Sequence, residues 1–207
     1  MVKSAQVKTI DFFFDYGSPN AYMADKVLPQ ICERTGATVN AIPVLLGGIF
    51  KATGNQSPFT AFAGIRNKPQ YDNLEMMRFV QKHRLPFRMN PFFPVNTLSL
   101  MRGAMAAVLE GQHVAYTEAM FHYMWEEPRQ LDNPEVFRQT LSDAGFDAET
   151  ILRRMADPEV KQALIDNTNA AVERGVFGIP TFFVGSEMWF GKDRLRDLEE
   201  YLLTGVA

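Results

Sequence analysis

The chain contains a single cysteine, Cys32, and only three histidines. One thiol excludes an internal disulfide framework and any cysteine-based metal cluster. His113 and His122 show no cysteine or carboxylate at the spacing of metal ligands, so the sequence predicts no metal site. Disulfides belong to oxidising compartments. We therefore expect a protein of a reducing compartment, most simply the cytoplasm.

The chain also lacks a large excess of charge of one sign, and it lacks long apolar runs. The formal net charge is −3 and the basic residues form no run, which argues against a nucleic-acid partner. No stretch approaches the roughly 18 apolar residues of a membrane span. The first residues, MVKSAQVKTIDFFFDY, contain no apolar region of signal-peptide length. With 46% hydrophobic and 22% charged residues, the chain is expected to be a soluble globular protein.

The N-terminal part has the pattern of a strand–helix–strand unit. Residues 8–15, KTIDFFFD, are β-branched and aromatic, as in a buried strand. Ser18 suits the N-cap of a helix and Pro19 its first position. Gly36 is a natural helix stop, and residues 37–45, ATVNAIPVL, predict a second strand. Such a unit places its two strands in parallel, with a right-handed crossover.

The rest of the chain divides into two parts. Residues 46–157 have mostly helical patterns, interrupted by Pro-rich loops. From residue 158 a helix is followed by two short apolar runs joined by Gly185 and Ser186, a plausible hairpin, and by a closing helix with Asp193 at its start. We predict an α/β domain formed by residues 1–45 and 158–207, interrupted by an all-helical insertion domain of residues 46–157.

Two positions of this architecture attract attention, the start of the first helix and the loop before the third strand. Ser18 is explained by capping alone, without any chemical role. Pro180 is explained by its place at the first position of a strand. A functional interpretation requires Pro180 to be a cis proline whose preceding residue pairs with a peptide-like ligand. Only about 5–6% of X–Pro bonds are cis, so the residues by themselves leave both interpretations open.

Five segments in order resemble a known family: FFFDYGSPNAY, LLGGIFKATGN, NTLSLMRG, VFGIPTFFVG and MWFGKDRL, which span residues 12–195. They are similar to the kappa-class glutathione transferases and the 2-hydroxychromene-2-carboxylate isomerases, and more distantly to the disulfide oxidoreductase DsbA. The resemblance implies a DsbA-like thioredoxin fold with a helical insertion. Where DsbA has Cys-Pro-X-Cys, this chain has Ser18-Pro19-Asn20-Ala21, so dithiol redox chemistry is excluded.

The resemblance also implies a glutathione site. Ser18 takes the position of the serine that meets the glutathione sulfur. The other implied ligands are Asn55 near the cysteinyl-glycine end, Lys68 at the glycine carboxylate, Ile179 before Pro180 at the cysteinyl amide, and Lys192 (through its backbone) with Asp193 at the γ-glutamyl end. Three of these residues have a simpler explanation: a turn at Asn55, a solvated lysine at Lys68 and a helix N-cap at Asp193.

The implied activity is a glutathione-dependent cis/trans isomerisation of 2-hydroxychromene-2-carboxylate or a related intermediate of aromatic degradation. The alternatives are a kappa-type glutathione transferase or peroxidase, and a glutathione-binding module without catalysis. The implied partners are glutathione, a small aromatic-derived electrophile and a second copy of the chain in a homodimer.

Overall fold

The computed structural model describes residues 8–206. The predicted domain limits at residues 1 and 207 lie outside this range. The described elements are, in order, β1 (Thr9–Phe14), α1 (Pro19–Thr35), β2 (Thr38–Pro43), α2 (Leu46–Thr53), α3 (Pro58–Ala61), α4 (Lys68–His83), α5 (Leu98–Leu109), α6 (His113–Trp125), α7 (Pro134–Asp143), α8 (Ala148–Arg154), α9 (Pro158–Glu173), β3 (Thr181–Val184), β4 (Glu187–Phe190), a 3-10 helix (Lys192–Arg194) and α10 (Leu195–Thr204).

The four strands form one sheet in the order β2-β1-β3-β4. β1 and β2 are parallel, with Thr9 opposite Thr38, which confirms the predicted strand–helix–strand unit. β3 runs antiparallel to β1 and to β4, and Val184 pairs with Glu187. The predicted hairpin is therefore present, with a two-residue turn at Gly185 and Ser186. Gly185 has a positive φ of 63°, which a side chain would disfavour.

Helix α1 begins and ends where the sequence predicts. The Ser18 side chain accepts a hydrogen bond from the Ala21 N–H, and Pro19 occupies the first helical position. Gly36 closes the helix in the left-handed conformation, with φ 70°. Tyr22 and Met23 are fully buried, so α1 packs its apolar face between the sheet and the helices of the insertion. This packing fixes the helix start that carries Ser18.

The hydrophobic core extends through both predicted domains. Its main cluster contains residues of β1 and α1 together with buried residues of α4 to α9, among them Met101, Phe121 and Trp125. A smaller cluster on the other face of the sheet joins residues of α2 and α9 to the strands: Phe13, Val44, Ile49, Ala171, Val176, Ile179 and Phe183. The division at residues 45 and 157 thus stays a prediction, since apolar contacts cross it on both faces.

The closing segment differs from the sequence interpretation in one detail. A 3-10 helix of residues Lys192–Arg194 precedes α10, and Arg194 occupies the N-cap position of α10. Asp193 is therefore not the N-cap, because its carboxylate pairs with Lys192 instead. None of the helices in residues 8–206 is long and apolar enough to cross a membrane.

Candidate functional site

The elements that carry the candidate residues meet at one end of the sheet. β1 runs into Ser18 at the start of α1, and its Phe13 pairs with Thr181, the residue that follows Pro180. β2 lies parallel to β1, and its carboxyl end leads into α2 and then to Asn55. Because these three connections leave the sheet at the same end, Ser18, Asn55 and Pro180 border a common region.

Ser18 caps α1 and retains a hydroxyl proton. The residue is 6% exposed, and its Oγ accepts from the Ala21 N–H at 3.1 Å. Its backbone oxygen accepts from the Tyr22 N–H, which starts the helical ladder. In the part of the chain that the structure describes, no acceptor for the Ser18 hydroxyl proton is present. The hydroxyl can therefore donate to a ligand placed at the positive end of the helix dipole.

The loop before β3 offers an unpaired backbone segment. The Ile179–Pro180 peptide bond is cis. The Pro180 carbonyl accepts from the Gly191 N–H at 2.9 Å, and the Thr181 hydroxyl donates to the Gly178 carbonyl at 2.7 Å. Within residues 8–206, the backbone N–H and carbonyl of Ile179 make no backbone hydrogen bond. This pair of groups has the spacing that an extended peptide ligand would match.

Asn55 lies against the same loop. Its side-chain nitrogen donates to the Phe177 carbonyl at 2.7 Å, and its side-chain oxygen accepts from the Gln56 N–H at 2.8 Å. A β-carbon added to Gly178 would stand 3.8 Å from the same nitrogen. The structure thus brings Asn55 to the segment that leads to Ile179, and the side chain connects the end of α2 to that segment.

Lys192 and Asp193 form an unequal ion pair next to Pro180. The Lys192 side chain is 5% exposed and that of Asp193 is 78% exposed, while Nζ and Oδ1 are 2.6 Å apart. The ammonium also lies 4.9 Å from the centre of the Phe79 ring. Gly191, which bonds to Pro180, joins the pair to the loop. The Asp193 carboxylate is therefore exposed to solvent beside the candidate site, while one of its oxygens pairs with the buried Lys192 ammonium.

Lys68 is the one predicted ligand that the structure does not join to the others. It begins α4, forms an ion pair with Asp72 one turn later, and its ammonium lies 4.9 Å from the Phe62 ring centre. Among the described residues, no hydrogen bond or ion pair links Lys68 to Ser18 or to the Ile179 loop. Its predicted role at the glycine carboxylate stays a prediction.

The sequence analysis missed Asp15. This residue is completely buried directly before the Ser18 turn, and its two carboxylate oxygens accept from the Gly17 N–H and the Leu46 N–H, each at 2.9 Å. Burial raises the pKa of this carboxyl above its ordinary value, while the hydrogen bonds from Gly17 and Leu46 oppose the rise. An acidic residue at the end of an apolar strand was the available signal, but such residues ordinarily face solvent.

A polar network anchors α1 to α6. Glu126 accepts from the Tyr22 hydroxyl at 3.1 Å and pairs with Lys26 at 2.9 Å and with His122 at 3.0 Å. The sequence expectation of no carboxylate near His122 was wrong, because the two residues lie one helical turn apart. Burial opposes ionisation of Glu126, but the hydrogen bonds from these partners lower its pKa. Burial raises the pKa of the neighbouring Asp25 to about 6.

Known proteins of similar sequence and structure belong to the family that the sequence motifs resemble. Residues 9–203 match the family of the DSBA-like thioredoxin domain. A 2-hydroxychromene-2-carboxylate isomerase from Sphingobium xenophagum is 32% identical over 199 residues, covering 95% of this chain and 98% of that protein. Glutathione S-transferase kappa 1 from Homo sapiens is 26% identical over 215 residues, covering 94% and 91%. A solved structure of a 2-hydroxychromene-2-carboxylate isomerase superposes with a TM-score of 0.81 at 28% identity, covering 94% of both chains.

The chain therefore belongs to the DSBA-like thioredoxin domain family, and it is related within it to 2-hydroxychromene-2-carboxylate isomerases and kappa glutathione transferases. This confirms both the resemblance and the fold class inferred from the sequence.

Proposed function

We propose that the chain is a glutathione-dependent isomerase of 2-hydroxychromene-2-carboxylate or of a closely related intermediate in aromatic degradation. One observation carries the proposal: Ser18, with a hydroxyl proton to donate, opens α1 where a redox relative would have a cysteine, at the end of the sheet where the unpaired backbone of Ile179 also lies. With serine at that position the chain has no sulfur of its own there, so sulfur chemistry at this site would require an external thiol. Glutathione, a peptide with a thiol, fits both features.

The binding roles follow from the geometry of the loop. The N–H and carbonyl of Ile179 would pair with the cysteinyl unit of glutathione, as one strand pairs with another. Asp193, whose exposed carboxylate pairs with the buried Lys192 ammonium, would bind the α-ammonium group of the γ-glutamyl end. Asn55 would act by holding the Phe177 segment, to whose carbonyl its side-chain nitrogen donates. Lys68 is proposed for the glycine carboxylate on the family resemblance.

Glutathione, held by Ile179 and Asp193 with its sulfur at Ser18, would supply a nucleophilic thiolate for reversible addition to a conjugated carbon of the substrate, and the single bond so formed would permit the cis/trans change. Ser18 would donate its hydroxyl proton in a hydrogen bond to this thiolate, and the α1 dipole would favour the same negative charge. No glutathione is consumed, because the bond that forms in the first step breaks in the last.

Thiolate stabilisation accounts for only part of such catalysis. A thiol of pKa ~8.5 is about 3% ionised at pH 7, and lowering its pKa by ~2 units ionises about three quarters of it. A Brønsted slope of ~0.4–0.5 removes about eightfold of that roughly 25-fold gain in thiolate, so the net acceleration is about threefold. Orientation of the two reactants and stabilisation of the developing oxyanion must supply the remainder.

The proposal is tested by following the cis/trans ratio of the substrate with purified protein and millimolar glutathione. Isomerisation that requires glutathione and leaves its concentration unchanged would support it. Stoichiometric loss of glutathione in the presence of a halogenated aromatic would instead indicate the kappa-type transferase activity. Tight binding of glutathione with no turnover of either substrate would indicate a binding module, and an unchanged ratio without binding would refute the proposal.

A further inference from the structure

The carboxylate of Asp15 connects the two chain segments that carry Ser18 and Asn55. Its Oδ1 accepts from the Gly17 N–H and its Oδ2 from the Leu46 N–H, both at 2.9 Å, while its backbone carbonyl accepts from the Ser18 N–H at 3.1 Å. Leu46 is the first residue of α2, and α2 ends at Thr53, which Gly54 and Asn55 follow. One buried side chain thus fixes both the turn that presents Ser18 and the helix that leads to Asn55.

The insertion also reaches this point. Thr97 directly precedes α5, and its side chain packs against the Ser18 turn at Gly17. Its methyl group would lie 3.0 Å from a β-carbon placed on Gly17. The Ser18 turn is therefore held by the carboxylate on one side and packed by Thr97 on the other. Three separate parts of the chain meet around one residue that the proposed mechanism does not use.

The position requires two acceptor oxygens, which a carboxyl group supplies. Both oxygens face backbone N–H groups, which can only donate. An amide of the same size would turn its own N–H₂ toward one of them and leave a buried donor without an acceptor. The residue is entirely inaccessible to solvent, so no water can replace the lost acceptor.

We propose that Asp15 is a positioning residue for the glutathione thiolate, acting through Ser18: its carboxylate holds the turn in which the Ser18 hydroxyl points at the sulfur. This inference rests on the proposed function, because it presumes glutathione at Ser18. Loss of the carboxylate would displace the hydroxyl and raise the pKa of the bound thiol. Loss of its negative charge alone would do the opposite, since a nearby anion disfavours a thiolate. A rise in the thiol pKa would therefore indicate displacement of the Ser18 hydroxyl, and a fall would indicate loss of the negative charge alone.

The experiment compares Asp15→Asn with the wild type by calorimetry of glutathione binding and by ultraviolet titration of the bound thiol. We expect the thiol pKa to rise by about 1 unit, and we expect this rise to be absent when Asp15→Asn is made in a Ser18→Ala background. Thr97→Ala, which removes the methyl group that packs against Gly17, should give a smaller rise in the same direction. A thiol pKa that is unchanged or falls in both variants would overturn the inference.

Asn90→Asp is the matched control. Asn90 is 2% exposed, and its side-chain nitrogen donates to the carbonyls of Met124 and Arg129, far along the chain from Ser18. The change is isosteric and creates the converse mismatch, an acceptor facing acceptors. It should lower stability and leave the thiol pKa unchanged. An equal rise in this control would show that general loosening, not positioning, causes the effect.

Hydrogen exchange in the absence of glutathione separates this inference from the proposed function. Asp15→Asn should speed exchange at Gly17 or at Leu46, whichever backbone N–H then faces the side-chain N–H₂ group and loses its acceptor. Unchanged exchange at both residues would overturn the positioning role whether or not glutathione binds. Failure of the wild type to bind glutathione, with exchange altered as expected, would refute the proposed function and the thiolate part of the inference, and would leave Asp15 as a structural link.

Discussion

The side-chain nitrogen of Asn55 donates to the carbonyl oxygen of Phe177 at 2.7 Å, across 122 residues of sequence. Asn55 follows α2, and Phe177 lies two residues before Ile179. The bond therefore fastens the end of α2 to the loop whose free backbone groups are the proposed glutathione contact. In the proposed site, this bond would make Asn55 a support for the backbone of that loop.

Asn55→Ala should weaken glutathione binding while changing global stability little. The side chain is exposed, so the loss of its hydrogen bond should cost less than about 1.5 kcal/mol in the free energy of unfolding. The Phe177 segment loses its restraint, and ordering it on binding should raise the dissociation constant by about tenfold. Calorimetry measures the affinity, with Asn73→Ala on the exposed side of α4 as the control. Equal affinities in the two variants would contradict the supporting role.

Asp193→Ala should reduce both glutathione affinity and stability, because it leaves the buried Lys192 ammonium without its partner. An unpaired buried charged donor costs about 1–3 kcal/mol. The double variant Lys192→Met/Asp193→Ala should recover most of that stability, since methionine can keep contact with Phe79. It should not recover the affinity. Denaturant unfolding and calorimetry give the two quantities, and recovery of affinity in the double variant would show that Asp193 contributes nothing directly.

Asp25 should make the protein less stable as the pH rises from about 4 to about 6. Burial raises the pKa of this carboxyl from 3.8 to about 6, with Glu118 and Glu126 adding to the effect and Lys26 opposing it. Over that pH window the folded chain binds more protons than the unfolded one, so stability falls with rising pH. Asp25→Asn should remove this slope and add roughly 1–2 kcal/mol at pH 7.

Urea unfolding at several pH values checks the Asp25 prediction. Glu33→Gln, at an exposed position of the same helix, is the control and should leave the slope in place. If Asp25→Asn lowers stability at pH 7, the carboxylate is a favourable partner of Lys26 and the assigned direction is wrong.

Local rules predicted the parts of the fold that depend on near neighbours in sequence. Ser18 before Pro19 and Gly36 after the last turn set the limits of α1, and Gly185-Ser186 set the hairpin. In each case the signal is a residue whose own side chain or backbone freedom satisfies a nearby group. The relatives' motifs added the identity of the family, which no periodicity could supply.

The supports of the site could not be predicted in the same way. Asp15 accepts from Leu46, and Asn55 donates to Phe177, across separations that only the folded chain determines. Lys192 would ordinarily be placed in solvent, but its ammonium is covered by Phe79 and paired with Asp193. The type of a residue determines which hydrogen bonds and ion pairs it can form, but the tertiary structure determines which partner it meets.

Ser18→Ala tests the central claim most directly, with the thiol of bound glutathione titrated by its ultraviolet absorbance. The substitution should cost ~1 kcal/mol of stability through the lost cap, and Asn133→Ala, which removes the side-chain cap of α7, should cost about the same.

If the Ser18 hydroxyl steadies the sulfur, the thiol pKa should rise by about 1 unit or more in Ser18→Ala and stay unchanged in Asn133→Ala. Glutathione that binds both variants with the thiol pKa of the wild type would contradict the account.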